Sequence, residues 1–180
     1  PVWGKLYRRS PIQKSGARFV DLAEIGSYED GFFNLEVFGK ADRVVYLAAY
    51  LYHYRRDGSS SVTSGYNPRL YDQWQTLYDR MEAIIQSNQL GSEYEAALNN
   101  RIALGILGLG LNITVSTQSM GKKVKDIHRI IRQERYRKAY KNLPLNYFPI
   151  HWKLFYGCAR HGFAFGVYVL LTVIQRIISR

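Results

Sequence analysis

A chain of 180 residues with 47% apolar and 14% aromatic content is long enough to bury a real core and excludes wholesale disorder. A single cysteine, Cys158, excludes an intramolecular disulfide framework and a multi-cysteine zinc site, and suits a reducing compartment. The net charge of +11 lies in one place: residues 1–121 carry 12 Lys/Arg against 12 Asp/Glu, whereas residues 122–180 carry 13 Lys/Arg against Asp126 and Glu134 alone.

Residues 2–9 alternate apolar and polar types in part, which predicts a strand running into a short helix. Gly16 and Arg18-Phe19-Val20 form a loop and an extended piece. From Asp30 the spacing of Phe33, Val37, Phe38 and Ala41 predicts a helix ending near Gly39 and Asp42. Residues 43–47 and 50–54 are rich in β-branched and aromatic types and predict two short strands, followed by a Gly-Ser loop at 57–61. After Gly65 the pattern becomes helical. Asn67 and Pro68 suit a helix start, and Leu70, Trp74, Leu77, Met81, Ile84 and Ile85 trace one apolar face. Gly91-Ser92 breaks the chain before a second helix over about 93–114. A third, basic helix is predicted over 122–141, then a loop with two prolines, then a final apolar-basic helix to Arg180.

Three segments carry chemistry. Tyr28-Glu29-Asp30-Gly31-Phe32-Phe33-Asn34 opens a helix with an acidic pair. Tyr52-His53-Tyr54-Arg55-Arg56-Asp57-Gly58-Ser59-Ser60-Ser61 feeds two arginines into a Gly-Ser loop. Val2-Trp3-Gly4-Lys5-Leu6-Tyr7-Arg8-Arg9 sets an indole beside a glycine. A proton acceptor followed by a phosphate clamp is the equipment for moving a group off a nucleotide diphosphate. Guanidinium forks match phosphate oxygens, and a Gly-Ser loop offers backbone N–H groups at close range. In order and spacing the three segments resemble the C-terminal half of the catalytic domain of family 2 bacterial glycosyltransferases, over roughly residues 1–66.

The resemblance implies an α/β fold: residues 1–64 as part of a glycosyltransferase A-type nucleotide-diphospho-sugar transferase domain, with a mainly α-helical extension after it. It implies Asp30 as the catalytic base with Glu29 beside it, Arg55, Arg56, Ser59 and Ser60 on the donor pyrophosphate, and Trp3 and Gly4 at the acceptor. The family pattern has Gly before the acidic pair, where this chain has Tyr28. The family's acidic metal motif does not occur here. A divalent Mg or Mn ion and the nucleotide are therefore expected to be held by an upstream half, and this chain alone is expected to be inactive. The opening at Pro1-Val2-Trp3, without Met, is read the same way.

Other signals carry less. His53 sits on the opposite strand face from Tyr52 and Tyr54 and reads as a packing residue. His151 and His161 lack ligand-spaced partners. Gly105-Ile106-Leu107-Gly108-Leu109-Gly110 has no Rossmann spacing and fits close helix packing instead. Asn112-Ile113-Thr114 is a formal glycosylation sequon within an apolar run.

The charge asymmetry points to an anionic partner, nucleic acid or phospholipid. Residues 65–141 are expected to form the helical extension and 142–180 a basic, apolar membrane-associated tail. Val124, Ile127, Ile130 and Ile131 form an apolar stripe on the basic helix, and Phe163 to Ile174 is an apolar run of 12 residues, short of the ~20 needed to span a bilayer. The expectation is a helix in the interface, with Trp152, Phe155, Tyr156 and Phe163 at headgroup depth. Together these readings describe a membrane-peripheral, cytoplasmic, inverting hexosyltransferase fragment with a nucleotide-sugar donor and a saccharide or lipid-linked acceptor, and no nucleic acid. The alternative is a non-enzymatic basic module that binds nucleic acid or a membrane surface.

Overall fold

The computed structural model describes residues 2–53 and 65–178. Among these residues every regular element is helical. This corrects the expected α/β fold: no strand forms. Residues 43–53 form no regular element and are solvent-exposed, with Tyr46 89% and Tyr50 103% accessible. Val44, Val45, Tyr46, Leu47 and Leu51 have the composition of a strand. Composition, however, reports fitness for a half-buried pleated surface, and a strand exists only where a second one supplies the ladder. The alternation at residues 2–9 gives a turn at Trp3-Gly4 and then helix α1, Arg9–Ser15.

The chain divides into two compact units. The first comprises Pro1–Ser64 and Arg69–Glu95, the second Gly65–Pro68 and Ala96–Arg180. In the first, α1 is followed by α2 (Leu22–Ile25), α3 (Glu29–Phe38) and α4 (Leu70–Ser87). Helix α4 packs on α2 and α3 and buries Trp74, Leu77, Met81 and Ile85 of the face read from its period, together with Gln73 and Tyr78, while Leu70 and Ile84 are half-buried. Two side-chain bonds fix the contact: Trp74 Nε1–H donates to Ser27 Oγ at 3.0 Å, and Gln73 Nε2–H donates to the Ala23 carbonyl at 3.0 Å. An ion pair between Arg80 and Glu24 lies at the exposed edge. Asn67 is not the cap of α4. Its backbone N–H and C=O pair with the Asn112 amide at 2.8 Å each, within the second unit, which also occupies the side chain of the sequon.

The second unit is built on α5 (Ser92–Thr114), which begins in the first unit. The predicted basic helix is two helices, α6 (Met120–Arg132) and α7 (Glu134–Asn142), parted at Gln133, whose ψ of 142° is extended. The terminal helix is likewise two, α8 (Ile150–His161) and α9 (Ala164–Ile178), parted at Gly162 with φ +76°. Helix α9 packs on α6 and α8, burying Ala164, Val167 and Leu171, and α6 buries Ile127, Ile130 and Ile131. The apolar stripe of the basic helix is therefore core and not a membrane face. Phe155 and Tyr156 are buried too, edge to face at 5.0 Å, so these rings serve the core and not an exposed face. Gly110 explains one part of the glycine pattern: a Cβ there would lie 2.3 Å from Leu171 Cδ1. Arg160 closes α7 by donating to the carbonyls of Tyr140 (2.8 Å) and Leu143 (2.7 Å).

Helix α5 is long and apolar enough to cross a membrane by length and composition, but 39% of its apolar window is buried within the protein. Its buried residues, Ile102, Ala103, Ile106, Leu109 and Ile113, recur at helical spacing, as a core helix requires.

Candidate functional site

The acidic pair stands in the first turn of α3, as its sequence directs, where the helix dipole favours negative charge. The residue before it, Tyr28, holds φ +76°, ψ 21°, the left-handed conformation that a glycine adopts without cost. For a bulky residue this costs about 1–2 kcal/mol. Gly31 makes the arrangement possible. A Cβ there would lie 2.2 Å from Tyr28 Cε1, so the phenol ring occupies the space over the first turn of α3 that a side chain at 31 would fill. Tyr28 thus takes the left-handed turn that a glycine would take at this position.

Residues 2–7 lie against α3. Val2, Tyr7, Ile12 and Phe38 pack on a core of Ala17, Phe33 and Val37, and the Tyr7 ring meets Phe33 edge-on at 5.9 Å. Polar contacts set the register. The Val2 N–H donates to Asp30 Oδ2 at 3.1 Å. Tyr7 OH donates to Asn34 Oδ1 at 2.6 Å, and Asn34 Nδ2–H donates to the Asp30 carbonyl at 2.7 Å. Asn34 is buried, so each bond removes a polar atom that would otherwise be stranded. Burial, and then the negative charge of Asp30, raise the Tyr7 phenol above its ordinary pKa of 10.0. One oxygen of Asp30 is thus held by the backbone of residue 2. Its other oxygen makes no hydrogen bond among the described residues.

One residue along from that bond, Trp3 stacks on Tyr52 with centroids 5.1 Å apart and 24° between planes. The two rings are 44% and 52% exposed, so the pair offers an accessible aromatic surface. Gly4, at φ +74° with no atom within 4 Å of a Cβ, makes the turn that presents it. The structure therefore gathers the segments of Trp3, Gly4, Glu29 and Asp30 into one unit and adds Tyr7, Asn34 and Tyr52. Asn34 was legible as the residue one helical turn after Asp30, on the same face. Tyr7 and Tyr52 gave no signal of their own, because their roles depend on contacts 27 and about 50 residues distant in sequence.

Arg55, Arg56, Ser59 and Ser60, expected on the pyrophosphate, lie outside the described residues. His53 is exposed and His151 and His161 are exposed on α8; among the described residues no three His, Cys, Asp or Glu side chains group as metal ligands. A shallow cleft lined by Arg18, Phe19, Asp21, Glu36 and Arg80 opens elsewhere in the first unit and shares no residue with the Asp30 group. Arg80 of this cleft is paired with Glu24 and the cleft is shallow, so Asp30 and the aromatic pair are the better candidate.

The chain is 35% identical to EpsH of Bacillus subtilis (strain 168) over 102 residues, 57% of its length, and 30% identical to EpsJ of the same organism over 157 residues, 87% of its length. Both relatives are glycosyltransferases by name, EpsJ an uncharacterized one. The matched stretches make up 29% of EpsH and 44% of EpsJ, so the chain spans less than half the length of the curated relatives it matches. No family model matches the chain, and no solved structure does. The chain is related to glycosyltransferases.

Proposed function

We propose that this chain forms the acceptor side of the transfer site in an inverting glycosyltransferase of the family 2 type, acting in bacterial surface polysaccharide synthesis. The observation that supports this most is Asp30, with one oxygen fixed by the Val2 N–H and the other without a hydrogen bond among the described residues, beside an exposed Trp3–Tyr52 stack in a chain related to glycosyltransferases. Transfer needs a base on the acceptor hydroxyl and charge compensation on the departing pyrophosphate. Asp30 takes the hydroxyl proton as the acceptor oxygen bonds to the anomeric carbon. The bond to the nucleoside diphosphate breaks on the opposite face, its electron pair leaving with the phosphate oxygen, so a single displacement inverts the centre. A sugar ring of the saccharide or lipid-linked acceptor rests on Trp3 and Tyr52. Arg55, Arg56, Ser59 and Ser60 take the pyrophosphate charge.

Among the described residues no three His, Cys, Asp or Glu side chains group to hold a divalent Mg or Mn ion. The metal and the nucleotide are assigned to the remainder of a longer protein, without which this chain is inactive. The test uses the full-length protein with a panel of uridine and guanosine diphosphate hexoses and saccharide or lipid-linked acceptors. Acceptor-dependent release of nucleoside diphosphate, with a product whose anomeric configuration is opposite to the donor's, is the expected result. A product of retained configuration contradicts the direct displacement.

A further inference from the structure

Helix α9 carries apolar residues on two opposed faces. Ala164, Val167 and Leu171 are buried; Phe165, Val169, Val173 and Ile177 are 50%, 43%, 50% and 69% exposed. At 100° per residue the centres of the two sets lie about 170° apart, so the exposed stripe points directly away from the packed one. The stripe begins beside Phe163, itself 56% exposed, and runs the length of the helix. Both of its ends are cationic. The Arg132 guanidinium lies against Gly162, where a Cβ would meet its Cζ at 2.8 Å, and Arg176 stands exposed between Val173 and Ile177.

We infer that the outer face of α9 docks on an anionic phospholipid bilayer, lying in the interface plane. Charge decides the occupant. All of the +11 belongs to residues 122–180, so a second copy of the chain would meet like charge around the stripe, and an anionic surface would meet its complement. A nucleic acid would meet the charge but find no donors along Phe165, Val169 and Val173. Length decides the orientation. Fifteen residues make a helix about 22 Å long, shorter than the ~30 Å hydrocarbon core, so α9 lies along the surface and does not cross. Apolar insertion and electrostatic attraction then act together, since either alone gives weak, reversible attachment. The inserting residues differ from those the sequence pattern indicated: α6 contributes charge only, because α9 covers its stripe. The inference does not depend on the transferase reading.

The test is co-sedimentation of the chain with phosphatidylglycerol-containing vesicles and with pure phosphatidylcholine vesicles at physiological salt. Binding to the anionic vesicles is expected. Val169→Gln with Val173→Gln should weaken it by about tenfold, and these exposed positions leave the fold intact, checked by helical dichroism. Arg132→Gln with Arg176→Gln should weaken it by roughly twentyfold on anionic vesicles and leave the residual neutral binding unchanged. A wild-type chain left in the supernatant with anionic vesicles overturns the proposal, as does unchanged binding of the valine pair. A chain that shifts RNA on a gel without binding vesicles, or that dimerises through the same valines, reassigns the face and overturns it equally.

Discussion

In the second unit, helix period and burial agree almost residue for residue: Ile127, Ile130 and Ile131, or Ala164, Val167 and Leu171, are where a 3.6-residue repeat puts them. In the first unit, the informative positions are a turn, a left-handed tyrosine and an irregular stretch that brings Tyr52 to Trp3, and their order comes from contacts far apart in sequence. The basic unit is a scaffold specified by local pattern. The neutral unit holds the candidate chemistry on loops pinned at a few points, where strain at Tyr28 persists because Gly31 and the packing around it over-determine it. Stability changes should therefore concentrate in the second unit and changes in turnover in the first.

The largest effect expected in the scaffold is at Gly110. Leu171 is fully buried, so Gly110→Val leaves it nowhere to move and should cost about 1–3 kcal/mol, read as a lowered thermal midpoint. A variant as stable as wild type would mean that α5 and α9 do not approach this closely. In the site, Asn34→Ala in the full-length protein should reduce kcat about tenfold with donor affinity unchanged, and Tyr7→Phe about fivefold, the value of one hydrogen bond. If both instead lower stability and leave kcat alone, these residues hold the fold and do not position Asp30.

The Tyr28–Gly31 pair gives a finer test. Gly31→Ala alone should destabilise by about 1 kcal/mol, because the new methyl displaces the ring. In a Tyr28→Gly background the same change should stabilise by about 1 kcal/mol, since alanine then keeps only its helix advantage. Additive effects would remove the ring from its place over α3. A further effect appears only at alkaline pH. Burial pushes the Tyr156 phenol up to about 12. The unfolded chain ionises this group near pH 10 and the folded chain does not, so its contribution is complete below pH 10 and falls as pH rises toward 12. Tyr156→Phe should flatten that loss by an amount on the order of 1–3 kcal/mol in melts across this range.

Much of this was legible. The acidic pair at the start of α3, the buried face of α4 and the span of α5 follow from local signals alone. Over the described residues 43–53 the strand reading failed because Val44, Val45, Tyr46 and Tyr50 record a preference for pairing, and pairing is non-local. The single basic helix failed at Gln133, where no Gly or Pro marks the break. The break at Gly162 did carry a signal: Arg160 and His161 followed by glycine is the C-terminal signature of a helix, masked by the apolar run that continues beyond it. The stripe on α6 was visible, but a period cannot say whether protein or lipid covers it. Of the site, Trp3 and Asp30 were marked by their motifs, whereas Tyr7 and Tyr52 appear only when segments far apart in sequence meet.

The most direct measurement is the single-turnover rate of the full-length protein carrying Asp30→Asn, with donor affinity measured in parallel. The account predicts a fall of about 10²–10⁴ in rate with donor affinity nearly unchanged, and a milder fall for Glu29→Gln. A near-normal rate for Asp30→Asn would contradict it and leave Asp30 as the residue that ties Val2 to α3.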